Sequence, residues 1–448
     1  MNIQGKKISI LGAVRSGIGA AKLAKQLGAI PFVSDMSSME KLSDQIKQLE
    51  ELNIEYEIEA HSEKVFDADF IITSPGVPGN APVLLKAKEK CIDVISEIEF
   101  ASWFCKGTII AITGTNGKTT TTSLCAHVLN EAGYKTYLAG NIGFAFSEIV
   151  LDVEESDYVA LEVSSFQLDH ISKFRPKYAM ILNITPDHLD RYDFDFNKYV
   201  NSKLSISMNQ IESDCLITNV DDRTLGLRSI NTQSELIQFG IENKIVLGAY
   251  LLEDKLYFKN IEQSEFICDS QSMQIKGEHN IQNALAVICV TKKIGLTNVE
   301  IGNGLKSFSG VEHRLEFVKE INGISFINDS KATNVDSVWF AIRSFDRPLY
   351  LILGGKDKGN NYDQILEPVK KHVKKIYAIG SSAEKVYEYF HSRVETEITD
   401  TIEKSIDKSI KEAENGDIVL LSPACASFDQ FNSYEHRGEV FKKIVNSL

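Results

Sequence analysis

The stretch TIIAITGTNGKTTTT, residues 108–122, decides the fold. Its first part, Thr108–Thr113, is an unbroken β-branched and apolar run, which reads as a strand buried on both faces. Helical spacing resumes over residues 121–132. Between the two lie Gly114, Thr115, Asn116, Gly117, Lys118, Thr119 and Thr120. Glycines let backbone N–H groups curl round phosphate oxygens, Lys118 adds a point charge toward β- and γ-phosphates, and the Thr119 hydroxyl suits Mg²⁺. Position 112 is isoleucine where the usual phosphate loop has its first glycine, so a tighter loop is expected.

Outward from this unit the same grammar recurs. Apolar runs at residues 8–12, 32–35, 70–73, 158–164 and 178–184 are each followed by a glycine or polar turn and helical spacing. A second batch lies at 350–355, 375–380 and 418–422. Continuous apolar strands alternating with helices indicate an α/β protein with parallel sheets. Residues 235–275 read as short strands, a small β insert, and a helix signal follows over 280–290. Three domains are expected, at residues 1–99, 100–310 and 311–448; a chain of 448 residues has length enough for that number.

Composition removes several classes of partner. Lys and Arg number 48 against 62 Asp and Glu, a net charge of −14, which opposes a general nucleic-acid partner and leaves room only for local basic pockets. Seven cysteines without a C-x-x-C pair argue against a disulfide framework and a thiolate zinc site, and point to the cytoplasm. No run of about 18 apolar residues calls for membrane insertion.

A second glycine turn, Gly12-Ala13-Val14-Arg15-Ser16-Gly17, follows the first strand, and Asp35 closes the next one. That is the context of a dinucleotide fingerprint, but Val14 stands where backbone must approach a pyrophosphate, which weighs against NAD. Two readings remain: glycines that only let helix pack on strand, or another nucleotide-like ligand at the helix N-terminus, where free N–H groups favour anions. Glu162 and His188 fall just at or beyond strand ends and should emerge at the carboxyl edge beside the phosphate loop. Taken singly, Glu162 also reads as a solvated turn acid and His188 as a helix-cap donor.

Taken together, the strings TGTNGKTTTT (113–122), GNIG (140–143), LEVSSFQL (161–168), NITPDHLDRY (183–192), GEHNIQNALA (277–286), EHRLE (312–316), INDSKATN (327–334), LGGKDKG (353–359) and LSPACASFDQF (421–431) resemble the Mur ligases. The phosphate loop and the asparagine pair are shared with folylpolyglutamate synthetases, whereas SSFQL, INDSKATN and SPACASFDQF point to the D-glutamate-adding branch. The resemblance implies a Rossmann-like N-terminal domain for a UDP-sugar, a central P-loop ATPase domain and a Rossmann-like C-terminal domain for the amino acid. It also implies the reaction: a carboxylate of UDP-N-acetylmuramoyl-L-alanine attacks the γ-phosphate of ATP, and the amine of D-glutamate then displaces phosphate from the acyl phosphate.

Carried over by position, the resemblance makes Lys118, Glu162, His188 and Lys203 catalytic. Thr119, Glu162 and His188 would hold two Mg²⁺ ions together with Lys203 as a carbamate; from spacing alone Lys203 is an ordinary surface lysine. Gly114 to Thr120, Asn280, Asn283, Arg314 and Asp329 would bind ATP, the two asparagines sharing one helix face. Ser16, Asp35, Gly76, Asn141, Ser164 and Gln167 would meet the UDP-sugar. Lys331, Thr333, Lys358, Ser427 and Tyr434 would meet D-glutamate, whose two carboxylates need two anion sites. Because Arg314 and Asp329 come from the last block, that block is expected to close over the nucleotide and keep water from the acyl phosphate. A monomer is expected. The competing readings are a ligase of another amino acid or of folates, an NAD oxidoreductase and a nucleotide switch.

Overall fold

The computed structural model describes residues 1–448 except Ser229, Asn231, Asn243, Lys244 and Lys358. Three sheets build it. The first holds β1 (Lys7–Leu11), β2 (Ile30–Asp35), β3 (Glu55–Ile58), β4 (Phe70–Thr73) and β5 (Val94–Ser96), all parallel in the order β3-β2-β1-β4-β5. Crossover to either side of β1 is the doubly wound pattern, and it puts the turn after β1 at the point where strand order reverses, where such sheets bind ligands.

The second sheet comprises β6 (Thr108–Thr113), β7 (Thr136–Gly140), β8 (Tyr158–Glu162), β9 (Tyr178–Ile181), β10 (Cys215–Asn219), β11 (Glu235–Gly240), β12 (Gly248–Leu252), β13 (Lys255–Lys259) and β14 (Ser264–Asp269). Its parallel part runs β7-β8-β6-β9-β10-β11-β12, and β13 and β14 add antiparallel at the edge. The short strands expected over 235–275 are therefore present, and they extend the central sheet. The third sheet orders β15 (Glu316–Ile321), β16 (Ile324–Asn328), β20 (Ile418–Leu421), β17 (Leu349–Gly354), β18 (Val373–Ile379) and β19 (Glu395–Asp400), with only β15 antiparallel.

The runs read as central strands are buried along most of their length: β6, β8, β17 and β20 carry buried residues at nearly every position. Burial of both faces is why they read as continuous apolar runs. Polar strands escaped that reading, as with Glu55-Tyr56-Glu57-Ile58, an edge strand whose residues stay partly exposed. The helix after the phosphate loop begins at Lys118, three residues before apolar spacing suggested, because a loop-to-helix junction needs no apolar face.

By contacts the chain forms two compact units, residues 1–273 with 281–308, and residues 274–280 with 309–448. The helix Glu278–Ile294 starts in the second and continues in the first. All seven cysteines are free thiols, Cys91 exposed and Cys125, Cys215, Cys268, Cys289 and Cys425 buried. Burial pushes Cys105 and Cys268 up to about 11 and Cys125 and Cys215 up to about 12, and raises Cys289 and Cys425. Among the described residues, no helix is long and apolar enough to cross a membrane.

Candidate active site

In the first unit the phosphate loop occupies the carboxyl edge of the central sheet. Gly114 (φ +157°) and Gly117 (φ +82°) take backbone conformations that side chains resist, and a Cβ on Gly117 would sit 2.5 Å from Asn283 Oδ1. Asn283 Oδ1 accepts the Thr121 hydroxyl at 3.0 Å, so this asparagine packs directly under the loop. Gly117 caps the helix Lys118–Glu131 with no side-chain bond, leaving the first-turn N–H groups for an anion. Asn116 N–H donates to Asn183 Oδ1 at 2.8 Å and the Thr115 hydroxyl donates to the Thr185 carbonyl at 3.0 Å. Lys118 Nζ folds back on its own loop, donating to the Gly114 and Thr115 carbonyls at 2.9 Å each.

Register places the other candidates alongside. Glu162 pairs with Ile112 at the end of β8, and Thr113 pairs with Ile181 at the end of β9. Glu162 is not a solvated turn acid: it is 2% exposed, its Oε1 accepts Asn141 Nδ2 at 3.2 Å, and its Oε2 is buried with no hydrogen-bond partner among the described residues. The Thr113 and Thr120 hydroxyls are likewise buried and unpartnered. An orphaned buried carboxylate oxygen is costly unless something binds it, and carboxylate and hydroxyl oxygens are the donor types that suit a hard cation.

Lys203, on the helix Phe196–Leu204, is the largest departure from what spacing suggested. It is 2% exposed, its Nζ donates to the Gly114 carbonyl at 2.8 Å and lies 4.7 Å from the Tyr199 ring centre. Burial and the nearby Lys118 ammonium hold its amine well below the ordinary lysine value. His188 has a left-handed backbone (φ +51°), starts the turn Leu189–Tyr192, and its ring lies in a T-shaped arrangement with Phe166, centres 5.2 Å apart. Arg191, which no sequence argument singled out, stacks on the same Phe166 and donates to the Pro75 and Val77 carbonyls at 3.3 and 2.8 Å. It therefore pins the turn after β4 to the His188 loop.

A cavity of about 1060 Å³ opens beside the first glycine turn, and Ser16, Asp35, Gly76, Asn141 and Gln167 all line it. Asp35 ties the turn together, accepting Ala13 N–H at 2.6 Å and Ser37 N–H at 2.7 Å. Arg15 reaches the Gly143 and Gly140 carbonyls at 2.8 and 3.1 Å. Ser164 is not among the lining residues; it caps the short helix Ser165–Leu168 in a reciprocal pair with Gln167. Asn141 lines the cavity and bonds Glu162, so the cavity and the phosphate loop share a wall.

The second unit gathers a separate set. Asp329, buried directly after β16, accepts Leu315 N–H at 3.2 Å and the Ser422 hydroxyl at 2.8 Å, and burial pushes its carboxyl up to about 7 against the pull of Arg314. Arg314 Nε is buried without a hydrogen-bond partner among the described residues. Lys331 Nζ lies 5.4 Å from the Tyr434 ring centre, Thr333 N–H donates to the Lys331 carbonyl, and Ser427 is buried next to the Lys356–Ala426 bridge. Lys358 lies outside the described residues. Asn280 donates from Nδ2 to the Lys276 carbonyl at 2.8 Å. The sequence reading missed a buried brace in this unit: Arg437, 1% exposed, donates to the Ser330 hydroxyl and carbonyl and to the Cys425 carbonyl at 2.9, 2.7 and 3.0 Å. Ser330 in turn donates to the Tyr434 carbonyl at 2.8 Å.

Family models match the chain in this order: MurD N-terminal domain over residues 8–83, Mur ligase middle domain over 112–291, and the Mur ligase glutamate ligase domain over 313–425. The chain belongs to the Mur ligases. Among curated relatives of this Mur ligase, the UDP-N-acetylmuramoylalanine–D-glutamate ligase of Christiangramia forsetii is 44% identical over 99% of this chain and 100% of its own length. The ligase of the same name from Chloroherpeton thalassium is 43% identical over 100% and 99%. Solved structures share the fold: UDP-N-acetylmuramate–alanine ligase of Thermotoga maritima (TM-score 0.61, 18% identity, 99% of both chains) and MurF ligase of Thermotoga maritima in complex with ADP (0.61, 17%, 93% and 95%).

Proposed function

We infer that this Mur ligase joins D-glutamate to UDP-N-acetylmuramoyl-L-alanine with ATP, a step in making peptidoglycan precursors. The observation that carries the site assignment is the shared wall: Asn141 lines the large cavity and holds Glu162 beside the phosphate loop. A substrate seated in the cavity thereby brings its carboxylate to the terminal phosphate of ATP. Its oxygen bonds the γ-phosphorus as the bond to ADP breaks. The amine of D-glutamate then attacks the acyl carbon, losing a proton and expelling phosphate.

Both steps gather negative charge. Lys118, turned from its loop carbonyls to the phosphates, and the uncapped helix start after Gly117 offset it. Thr119 and the unpartnered Glu162 oxygen would hold one Mg²⁺, and His188 with a carbamate on Lys203 a second. When bound, the ions spread the charge that builds on the transferred phosphoryl group. Burial shifts Lys203 toward its uncharged amine, the form that adds CO₂, and the oxygens of a carbamate would suit Mg²⁺. Arg314, Asp329, Asn280 and Asn283 would contact ATP. Lys331, Thr333, Lys358, Ser427 and Tyr434 would take the two carboxylates of D-glutamate.

In this reading residues 1–99 serve the UDP-sugar, 100–310 ATP and 311–448 the amino acid, in a cytoplasmic monomer where ATP and sugar nucleotides are at hand. Phosphate release with ATP, Mg²⁺, UDP-N-acetylmuramoyl-L-alanine and D-glutamate, each omitted in turn, tests it. Release that needs every component and refuses L-glutamate is expected; release with another amino acid instead overturns the substrate.

A further inference from the structure

The cavity beside the first glycine turn extends past the residues that motif spacing picked out. Its lining includes His61, beyond β3, the edge strand two places from β1. Its Nδ1 is 2.6 Å from Ser34 Oγ, and that hydroxyl lies 2.7 Å from Glu57 Oε1 and 3.2 Å from the Ala60 carbonyl. Burial opposes ionisation of Glu57, but bonds from Ser62 and Ser34 outweigh it and hold the carboxyl below its ordinary value. An ionised carboxylate, closer than the Ala60 carbonyl, accepts the hydrogen bond that the serine O–H donates. The serine oxygen is then left to accept, so Nδ1 carries the imidazole hydrogen.

That fixes the other nitrogen. Burial, opposed by the charges of Glu57 and Asp35, keeps the ring below the ordinary histidine value and neutral at pH 7. Nε2 is therefore an acceptor. It has no hydrogen-bond partner among the described residues, in a ring that lines the cavity.

The position along the ligand follows from the residues that line the cavity. The reacting carboxylate belongs at Asn141, next to Glu162. The helix Arg15–Gln26 starts at Val14 with no side-chain cap, and its free N–H groups favour the diphosphate midway. The base is left for the rest of the lining, which includes the apolar ring of Phe66 as well as His61.

We propose that His61 is a specificity-determining residue whose Nε2 accepts the N3–H of uracil, so that the cavity takes a uridine ligand and refuses a cytidine one, whose N3 is itself an acceptor. The proposal rests on the UDP-sugar reading above. The test is calorimetric titration of the full chain with UDP and with CDP, for wild type, His61→Ala and His61→Gln. Wild type should bind UDP at least about tenfold more tightly than CDP, since facing acceptors leave both unpaired. His61→Ala should weaken UDP about three- to tenfold while leaving CDP nearly unchanged, and His61→Gln, which keeps an acceptor, should recover part of the preference. Binding of CDP reports that the variant cavity is intact. An unchanged UDP-to-CDP ratio in His61→Ala overturns the assignment to His61 and leaves the ligase reading standing. Failure of UDP to bind wild type overturns the sugar-nucleotide reading itself.

Discussion

The first unit contains two strand–glycine turn–helix junctions built to one plan and finished differently. At both, the helix starts without a side-chain cap, at Val14 and at Gly117. After β6 the next residue is Lys118, whose ammonium stays on the loop and can swing to a phosphate. After β1 the next residue is Arg15, whose guanidinium is committed to the Gly140 and Gly143 carbonyls. Asp35 ties the first turn, while unpartnered hydroxyls and a carboxylate oxygen surround the second. The first junction is braced by its own side chains, whereas the second leaves buried polar atoms unpartnered among the described residues.

Substitutions at matching positions should expose that asymmetry. The largest effect belongs to Lys118→Ala, where phosphate release should fall by at least about a hundredfold in kcat, because a charge aimed at the transition state is lost. Normal turnover in that variant would break the comparison. Lys331→Ala should raise KM for D-glutamate about ten- to a hundredfold with a smaller change in KM for ATP, as expected for one charged hydrogen bond read from substrate kinetics. Arg15→Ala should act on KM for the UDP-sugar, by about three- to tenfold, since it loosens a wall and removes no reacting group.

Glycines sharpen the contrast further. A Cβ on Gly17 would lie 1.7 Å from the Gly12 carbonyl, backbone that cannot yield, so Gly17→Ala should lower the melting temperature by several degrees. Gly117→Ala meets a side-chain oxygen instead of backbone but forces alanine into a left-handed φ of +82°, so it should lower ATP affinity as well as the melting temperature.

A separate effect, read in stability and not in turnover, concerns Asp329. Its carboxyl titrates near 7 in the fold against an ordinary 3.8, so the folded chain holds a proton that the unfolded chain releases. Stability from this group is full below about pH 4 and is lost as pH rises through 7. Urea unfolding at pH 5 and pH 8 should show Asp329→Asn gaining on wild type at the higher pH.

The sequence revealed the phosphate loop because phosphate binding confines its chemistry to eight adjacent residues. It revealed the parallel sheets because strands buried on both faces are apolar throughout. Lys203 was legible only through family resemblance, since its burial depends on the loop carbonyl of Gly114, 89 positions away. Arg437 and Arg191 went unread for the same reason: their partners, Ser330 and residues 75–77, are distant in sequence and backbone atoms in part. His61 carries no spacing signal at all.

The distribution of thiols offers an experimental handle. With burial suppressing ionisation at the other six, Cys91 is the thiol a maleimide dye should reach first. It sits three residues before β5 in the sheet that carries the first glycine turn. Native enzyme could thus be given one fluorophore without engineering, and nucleotide-sugar binding followed by its polarisation or quenching in real time.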